Sequence, residues 1–335
     1  MSQLSLRLKA MFFRAVLSLF TMLDLYLSRP LPGKASFGRK IQSTVSVIPG
    51  SIGLLFYTPP SYNKKRVQTS SELIKKHPLL VNFHGGGFML GHAGDDARWF
   101  TAVTSSTDAV VASTNYRLAP EYPFPIAVED CVSAVLWLWR HADEFNIDIS
   151  KTAFSGFSAG GNLTYTVSIR LHQEIARLRR EGALNGLERG RLVNLVAVYG
   201  GVDWTQTRAE REASNPNLIH ASPPFLLRLF DEAYLSTKPD LRSPLLSPGV
   251  APDELLQDSL PQTLVIINCS GDHLLVESEK FRERLIGLGK DVKGYVVEGE
   301  GHGWDKKPTF FEGDQKRDDA YKYCVEALQS VWEET

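Results

Sequence analysis

From Ile41 onward, short runs rich in β-branched residues alternate with longer stretches able to form helices, and this alternation restricts the fold more than any other feature of the chain. Strand candidates lie at 43–48, 52–57, 79–83, 109–115, 152–154, 192–199, 263–268 and 292–297. Helical stretches at 96–106, 126–145, 159–180, 277–288 and 318–331 separate or follow the last six. Such an alternation predicts an α/β architecture, a mainly parallel eight-stranded sheet with helices on both faces. The first two runs, joined by Pro49-Gly50-Ser51, read instead as an antiparallel hairpin at one edge. One stretch breaks the pattern: residues 203–262 are rich in Pro and Ser and hold a short helix near 224–234. An insertion of that length without a strand is more often functional than idle.

The 335 residues carry 37 basic and 38 acidic side chains, a formal net charge of −1, so no global field draws the protein onto nucleic acid. A small molecule is the expected partner. Cys131, Cys269 and Cys324 are scattered singly, with no CxxC and no histidine at metal-ligand spacing, and read as reduced core residues. Neither a metal nor an organic cofactor is expected, and the location expected is cytoplasmic.

The N-terminus is apolar from Leu4 to Leu27 but interrupted by Arg7, Lys9, Arg14 and Asp24, and its longest uncharged run is too short to span a bilayer. No A-x-A-like cleavage site follows, which argues against secretion. Read as a helix, Arg7, Arg14, Thr21 and Ser28 recur every seven residues with Ser18 on the same side, leaving a wide apolar face opposite. Such a helix covers the protein's own cleft or lies in a membrane interface.

The chemistry is concentrated in four places. Gly156-Phe157-Ser158-Ala159-Gly160 follows a strand candidate and opens a helix candidate, which is the context a nucleophile elbow requires. Taken alone, the same pentapeptide also fits a serine at a Gly-rich helix N-terminus. His84-Gly85-Gly86-Gly87-Phe88 directly follows the apolar run 79–83. Its consecutive glycines expose backbone N–H groups that can stabilise an oxyanion, worth roughly 3 kcal/mol per donor. The other reading, a phosphate loop, lacks a Walker lysine or G-x-G-x-x-G. A nucleophilic serine needs a base and an orienting acid, in chain order Ser, Asp or Glu, His. His302, between Gly301 and Gly303 on the loop after the last strand candidate, fits the base better than His172, His220 or His273. Asp272 ends the loop after the penultimate strand at the carboxyl edge of the sheet; Glu277 competes from the following helix, and a helix-capping role is the alternative for Asp272.

At these residues the chain resembles the hormone-sensitive lipase-like α/β-hydrolases, esterases marked by an HGGG loop. Asn115-Tyr116-Arg117-Leu118-Ala119-Pro120-Glu121 looks like that family's YRLAPE segment, and residues 242–248 look like the segment returning from its cap. The resemblance covers about residues 75–330. It implies a serine carboxylic ester hydrolase working through an acyl-enzyme, with oxyanion donors at Gly86, Gly87 and Ala159. It also implies an α/β-hydrolase core at 39–202 and 253–335, a cap insertion at 203–252 and an N-terminal cap helix within 1–38. The cap role is preferred over membrane attachment for that helix, though weak membrane contact and a homodimer stay open. Two departures stand out: Phe157 replaces an Asp common in the family, and His273 replaces the proline usual after the acid. Chains with this GFSAGG variant and an apolar leader look similar to fungal hydrolases of natural-product pathways, which implies an acetate ester or lactone substrate of small to medium size. An acyltransferase or cyclase using the same triad is the alternative, and a non-catalytic receptor on this fold is another, disfavoured by the presence of His302.

Overall fold

The apolar runs pair into one sheet because those at its centre are buried on both faces and have no solvent side to turn outward. The computed structural model describes residues 3–27, 31–62, 75–220, 222–307 and 313–334. Its strands are β1 (Phe37–Gln42), β2 (Ser51–Tyr57), β3 (His77–Phe83), β4 (Val110–Asn115), β5 (Ile147–Phe157), β6 (Leu192–Val198), β7 (Thr263–Cys269), β8 (Asp291–Lys293) and β9 (Val296–Val297). They run in the order β1-β2-β4-β3-β5-β6-β7-β8, with β9 also on β7. β1 and β2 are antiparallel, β2 meets β4 antiparallel, and every later pairing is parallel.

The helices are α1 (Gln3–Leu27), α2 (Ala97–Ser106), α3 (Ile126–Arg140), α4 (Ala159–Arg180), α5 (Arg208–Ser214), α6 (Pro224–Tyr234), α7 (Asp253–Ser259), α8 (Leu275–Gly287) and α9 (Gln315–Glu334). α3 and α4 bury Val132, Val135, Leu163 and Val167 against one face of the sheet, where Tyr165 and Ile169 of α4 also meet Phe281 and Leu285 of α8. α2 and α9 cover the other face through Trp99, Phe100, Tyr321 and Leu328.

Three details of these elements depart from the sequence pattern. Residues 43–48 are not a strand: β1 lies just before them, and after Ser43, whose N–H still bonds Gly50 O, the N–H groups of Thr44 and Val45 turn to Ser133 Oγ, that of Val47 to Glu129 and that of Ile48 to Ser46 Oγ. The edge hairpin is nonetheless antiparallel, with Gln42 opposite Ser51. The run at 292–297 splits into β8 and β9 at Gly294, whose φ of +132° and 1.8 Å approach to the Ile266 carbonyl, measured from where a Cβ would stand, no other residue tolerates. The 203–262 stretch holds α5 and α7 besides α6; α5 starts on a Thr207–Glu210 capping box visible in the sequence as T-x-x-E.

α1 corrects the expected orientation. Leu6 and Ala10 are buried and Phe13 and Leu17 pack beside them, so an apolar stripe does face the protein. Arg14, placed by the seven-residue recurrence on the polar outer side, instead points inward and donates to Met89 O at 2.9 Å, Ala119 O at 2.7 Å and Glu121 Oε2 at 2.8 Å. Leu4, Leu8, Met11, Phe12, Leu19 and Met22 are left exposed. The helix is apolar nearly all round, so the three acceptors available to Arg14 decide which side turns in. Ser28, the last member of the recurrence, lies outside the described residues.

Candidate active site

β5 ends in the elbow. Ser158 sits at φ 55°, ψ −117°, between strand and helix, a conformation costing about 1–3 kcal/mol that its surroundings must impose. Its glycines are obligatory on space alone: a Cβ on Gly156 would lie 2.2 Å from Gly160 O, and one on Gly160 would lie 1.9 Å from Phe83 O. This close packing of α4 on β3 lifts the serine side chain to the carboxyl edge of the sheet.

The loops after β7 and β9 emerge at the same edge and bring Asp272 and His302 to it. Ser158 Oγ lies 2.7 Å from His302 Nε2, and His302 Nδ1 lies 2.7 Å from Asp272 Oδ2. With the ring proton on Nδ1, the imidazole donates to Asp272 and its Nε2 is free to accept from the serine. Asp272 is buried, and its Oδ1 accepts the Leu274 N–H at 2.9 Å. Burial pushes its carboxyl up, but the charge and hydrogen bond of His302, the neighbouring His273 and that N–H outweigh it, so the group stays below the ordinary carboxylate range. Burial likewise lowers His302, but the charge and hydrogen bond of Asp272, with Asp305 behind, hold it above the ordinary imidazole value.

The competing residues do not join the line to Ser158. Glu277 is buried against Arg211 at 2.8 Å and accepts the Val202 N–H at 2.8 Å, fixing the start of the insertion. His273 stands 3.2 Å from Asp272 Oδ1 and lines the cavity, and burial pushes it down to about 4, so it is neutral near pH 7. His172 and His220 are exposed, and among the described residues it is His302 that pairs with Ser158 Oγ.

The His84–Gly87 loop lies against the elbow, its Gly85 Cβ position 2.9 Å from Phe157 O. Gly86 and Gly87 have φ of 105° and 59°, and among the described residues their N–H groups donate to no acceptor. The N–H of Ala159, first in α4, is one of those a helix leaves without an internal partner. His84 itself is buried, donates from Nδ1 to Gly85 O at 2.7 Å and stacks on Tyr116, whose hydroxyl donates to His84 O. Residues 115–121 thus brace the loop: the Ala119 N–H also bonds Phe88 O, and Arg117 is anchored on the buried Asp130. Segment 242–248 closes from the other side, where Asn162 donates to Leu246 O and Ser247 Oγ accepts the Trp204 N–H.

Ser158 and His302 open on a cavity of about 530 Å³. Leu17, Phe20 and Thr21 of α1 and Leu226, Leu227, Phe230 and Tyr234 of α6 line it, with Trp204. Arg208 and Asp231 clasp α5 to α6 through two hydrogen bonds at its wall. Ile219 ties the insertion to the catalytic loops: its N–H bonds Gly271 O and its side chain covers Gly271 and Gly301. Among the described residues, no three His, Cys, Asp or Glu side chains converge as metal ligands.

A charged cluster behind His302 is absent from the motif reading. Lys306 lies 2.7 Å from Asp96 and 2.9 Å from Asp305, both carboxylates buried, and its ammonium stands 3.5 Å from the centroid of the Phe157 ring. Asp305 also accepts from the hydroxyls of Tyr199 and Tyr321, and the Tyr199 ring packs edge-on against His302 at 4.8 Å. Phe157 therefore presents a ring face to a cation. Nothing in Gly303-Trp304-Asp305-Lys306-Lys307 distinguishes the inward lysine from the exposed Lys307, and the one sequence signal for the pairing of Arg14 with Glu121 is a cation in the middle of an apolar helix.

A family model described as alpha/beta hydrolase fold matches residues 80–306, more than half the chain. The chain belongs to the α/β-hydrolase family. Within it the HGGG loop places this hydrolase in the hormone-sensitive lipase-like branch. It is similar to an arylesterase of Saccharolobus solfataricus, 31% identical over 231 residues that make up 69% of each chain. It is also similar to the chloroplastic tuliposide A-converting enzyme 2 of Tulipa gesneriana, 28% identical over 72% of this chain and 60% of that one. Among solved structures, a hyperthermophilic esterase from Pyrobaculum calidifontis superposes with a TM-score of 0.73 at 23% identity, covering 96% of this chain and 93% of that one. A thermostable esterase from Pseudomonas putida superposes at 0.74 and 19% identity, over 96% and 90%. At such identities these two structures speak for the fold.

Proposed function

We propose that this carboxylic ester hydrolase works with Ser158 as nucleophile, His302 as general base and then acid, and Asp272 as the group that orients and stabilises the imidazolium. Ser158 Oγ attacks the ester carbonyl while its proton passes to His302 Nε2. The tetrahedral oxyanion is held by the N–H groups of Gly86, Gly87 and Ala159, and its collapse expels the alcohol with the proton from His302. Water, deprotonated by the same histidine, then releases the acid. The observation that carries this reading is the unbroken line from Ser158 through His302 to Asp272, two contacts of 2.7 Å, opening beside the unpaired N–H groups of Gly86 and Gly87.

The cavity supports a small to medium, largely apolar ester, since its wall from α1 and α6 is aliphatic and aromatic. An acetate ester or a lactone fits this description, and the arylesterase relative makes phenyl esters worth including. The three buried, unpaired cysteines support a cytoplasmic location, where thiols stay reduced. The test is product analysis on p-nitrophenyl esters from acetate to decanoate, followed by phenyl acetate and lactones, with Ser158→Ala as control. Formation of free acid supports hydrolysis; acyl transfer to an added amine or alcohol in preference to water would overturn it in favour of transfer.

A further inference from the structure

The side of α1 turned away from the protein is more apolar than a solvent-facing helix needs. In a helix each residue advances by about 100°, so Leu4, Leu8, Met11, Phe12, Ala15, Leu19 and Met22 share the outer face with Ser18 alone. Leu4, Leu8 and Phe12 are 68%, 58% and 62% exposed. This is no loosely attached segment, because Leu6, Ala10 and the three bonds of Arg14 fasten the opposite side to the body. The outer stripe runs on into the cap: Phe12 meets Phe13 edge-on, and Phe13 packs against the half-exposed Phe225 of α6.

Charge says what this face is built for. Before Asp24 the chain has no acidic residue, and Arg7 and Lys9 project at about 100° to either side of Leu8, one along each edge of the stripe. An apolar face edged by cations is complementary to a bilayer surface, with alkyl groups among the acyl chains and the cations among anionic headgroups. Among the described residues no helix is long and apolar enough to cross a membrane, so α1 would lie along the surface. We infer that the outer face of α1, continued by Phe225, docks the enzyme on anionic lipid. Phe20, half-exposed at the edge of the same helix, also lines the Ser158 cavity, so docking places the cavity mouth beside the lipid and lets an apolar ester enter without crossing water. That consequence rests on the esterase reading; the docking does not.

The experiment is flotation of the full chain with vesicles of phosphatidylcholine alone and of equal parts phosphatidylcholine and phosphatidylserine, beside hydrolysis of soluble p-nitrophenyl acetate. The wild type should float with the anionic vesicles and more weakly with the neutral ones. Leu8→Glu/Phe12→Glu/Leu19→Glu should lose about tenfold or more in vesicle affinity with acetate hydrolysis unchanged, since none of the three lines the cavity. Arg7→Gln/Lys9→Gln should bind anionic vesicles more weakly by about fivefold per cation and neutral ones equally. A wild type that stays with the dense fraction, or a triple variant that floats as well as wild type, overturns the inference. So does a wild type that sediments as a dimer and a triple variant that sediments as a monomer, since the face would then belong to a second copy. Loss of acetate hydrolysis in the wild type would refute the esterase reading without touching the flotation result.

Discussion

At Ser158 a residue with a side chain holds a positive φ between two glycines that cannot be replaced, so the backbone is set for exposure of one hydroxyl. Ser158→Ala should therefore keep the fold, checked by circular dichroism, and lose turnover by about 10⁴-fold or more together with labelling by organophosphonates. A variant that still labels would place the nucleophile elsewhere. His302→Ala should be as severe and Asp272→Asn somewhat milder, and the losses should not add, because the three act as a unit. The pH dependence follows from the same residues. His302 must be neutral to accept the serine proton, and its folded-state pKa is raised, so kcat/KM should climb with pH along a limb centred above the ordinary value of about 6.5. His273, pushed down to about 4, is already neutral across that window and adds no second limb near neutrality. Initial rates from pH 5 to 9 test this, and a flat profile through neutrality would require another base.

The oxyanion loop and the charged cluster behave as elements rather than as single residues. Gly87 has φ 59°, and a Cβ there would stand 2.5 Å from the Phe230 ring of α6. Gly87→Ala should move the N–H away from the developing oxyanion and lower kcat by about 10²- to 10³-fold, with a smaller change in KM. Equal effects on kcat and acyl-chain preference would point to a displaced α6 instead. In the cluster, Lys306 is, among the described residues, the cation that pairs with both buried carboxylates. Lys306→Met keeps the alkyl stem over Phe157 but strands Asp96 and Asp305, so urea unfolding should show a loss of about 3–5 kcal/mol. A loss below 1 kcal/mol would mean that the carboxylates take up protons or water at little cost.

For the whole molecule, α1 and α6 roof a cavity that the sheet only floors. Leu17, Phe20 and Thr21 belong to the N-terminal helix, and Arg14 joins it to the loop carrying Met89 and to Glu121. A chain starting at Leu31 should lose kcat/KM on decanoate more than on acetate, and its melting temperature should fall as Met89, Ala119 and Glu121 lose their common donor. Kinetics across the ester series with a thermal melt check this; a uniform loss for all chain lengths would mean that α1 supports the elbow rather than the acyl pocket.

Much of this was readable in one dimension because it depends on local spacing. Strand-sized runs alternating with helices imply a covered parallel sheet, and G-x-S-x-G between strand and helix implies an elbow whatever surrounds it. The places of Asp272 and His302 followed from strand order, since loops after parallel strands emerge at one edge. Three things needed the folded chain. Residues 43–48 have strand composition, yet Ser133 and Glu129, some 85 residues away in α3, take their N–H groups. Lys306 and Lys307 are neighbours of one type, and only the positions of Asp96 and Asp305 turn the first inward. The orientation of α1 was decided by acceptors on residues 89, 119 and 121 for the guanidinium of Arg14. Periodicity ranks the faces of a helix by polarity, but a partly buried cation with three partners outweighs a rank, and partners distant in sequence exist only after folding.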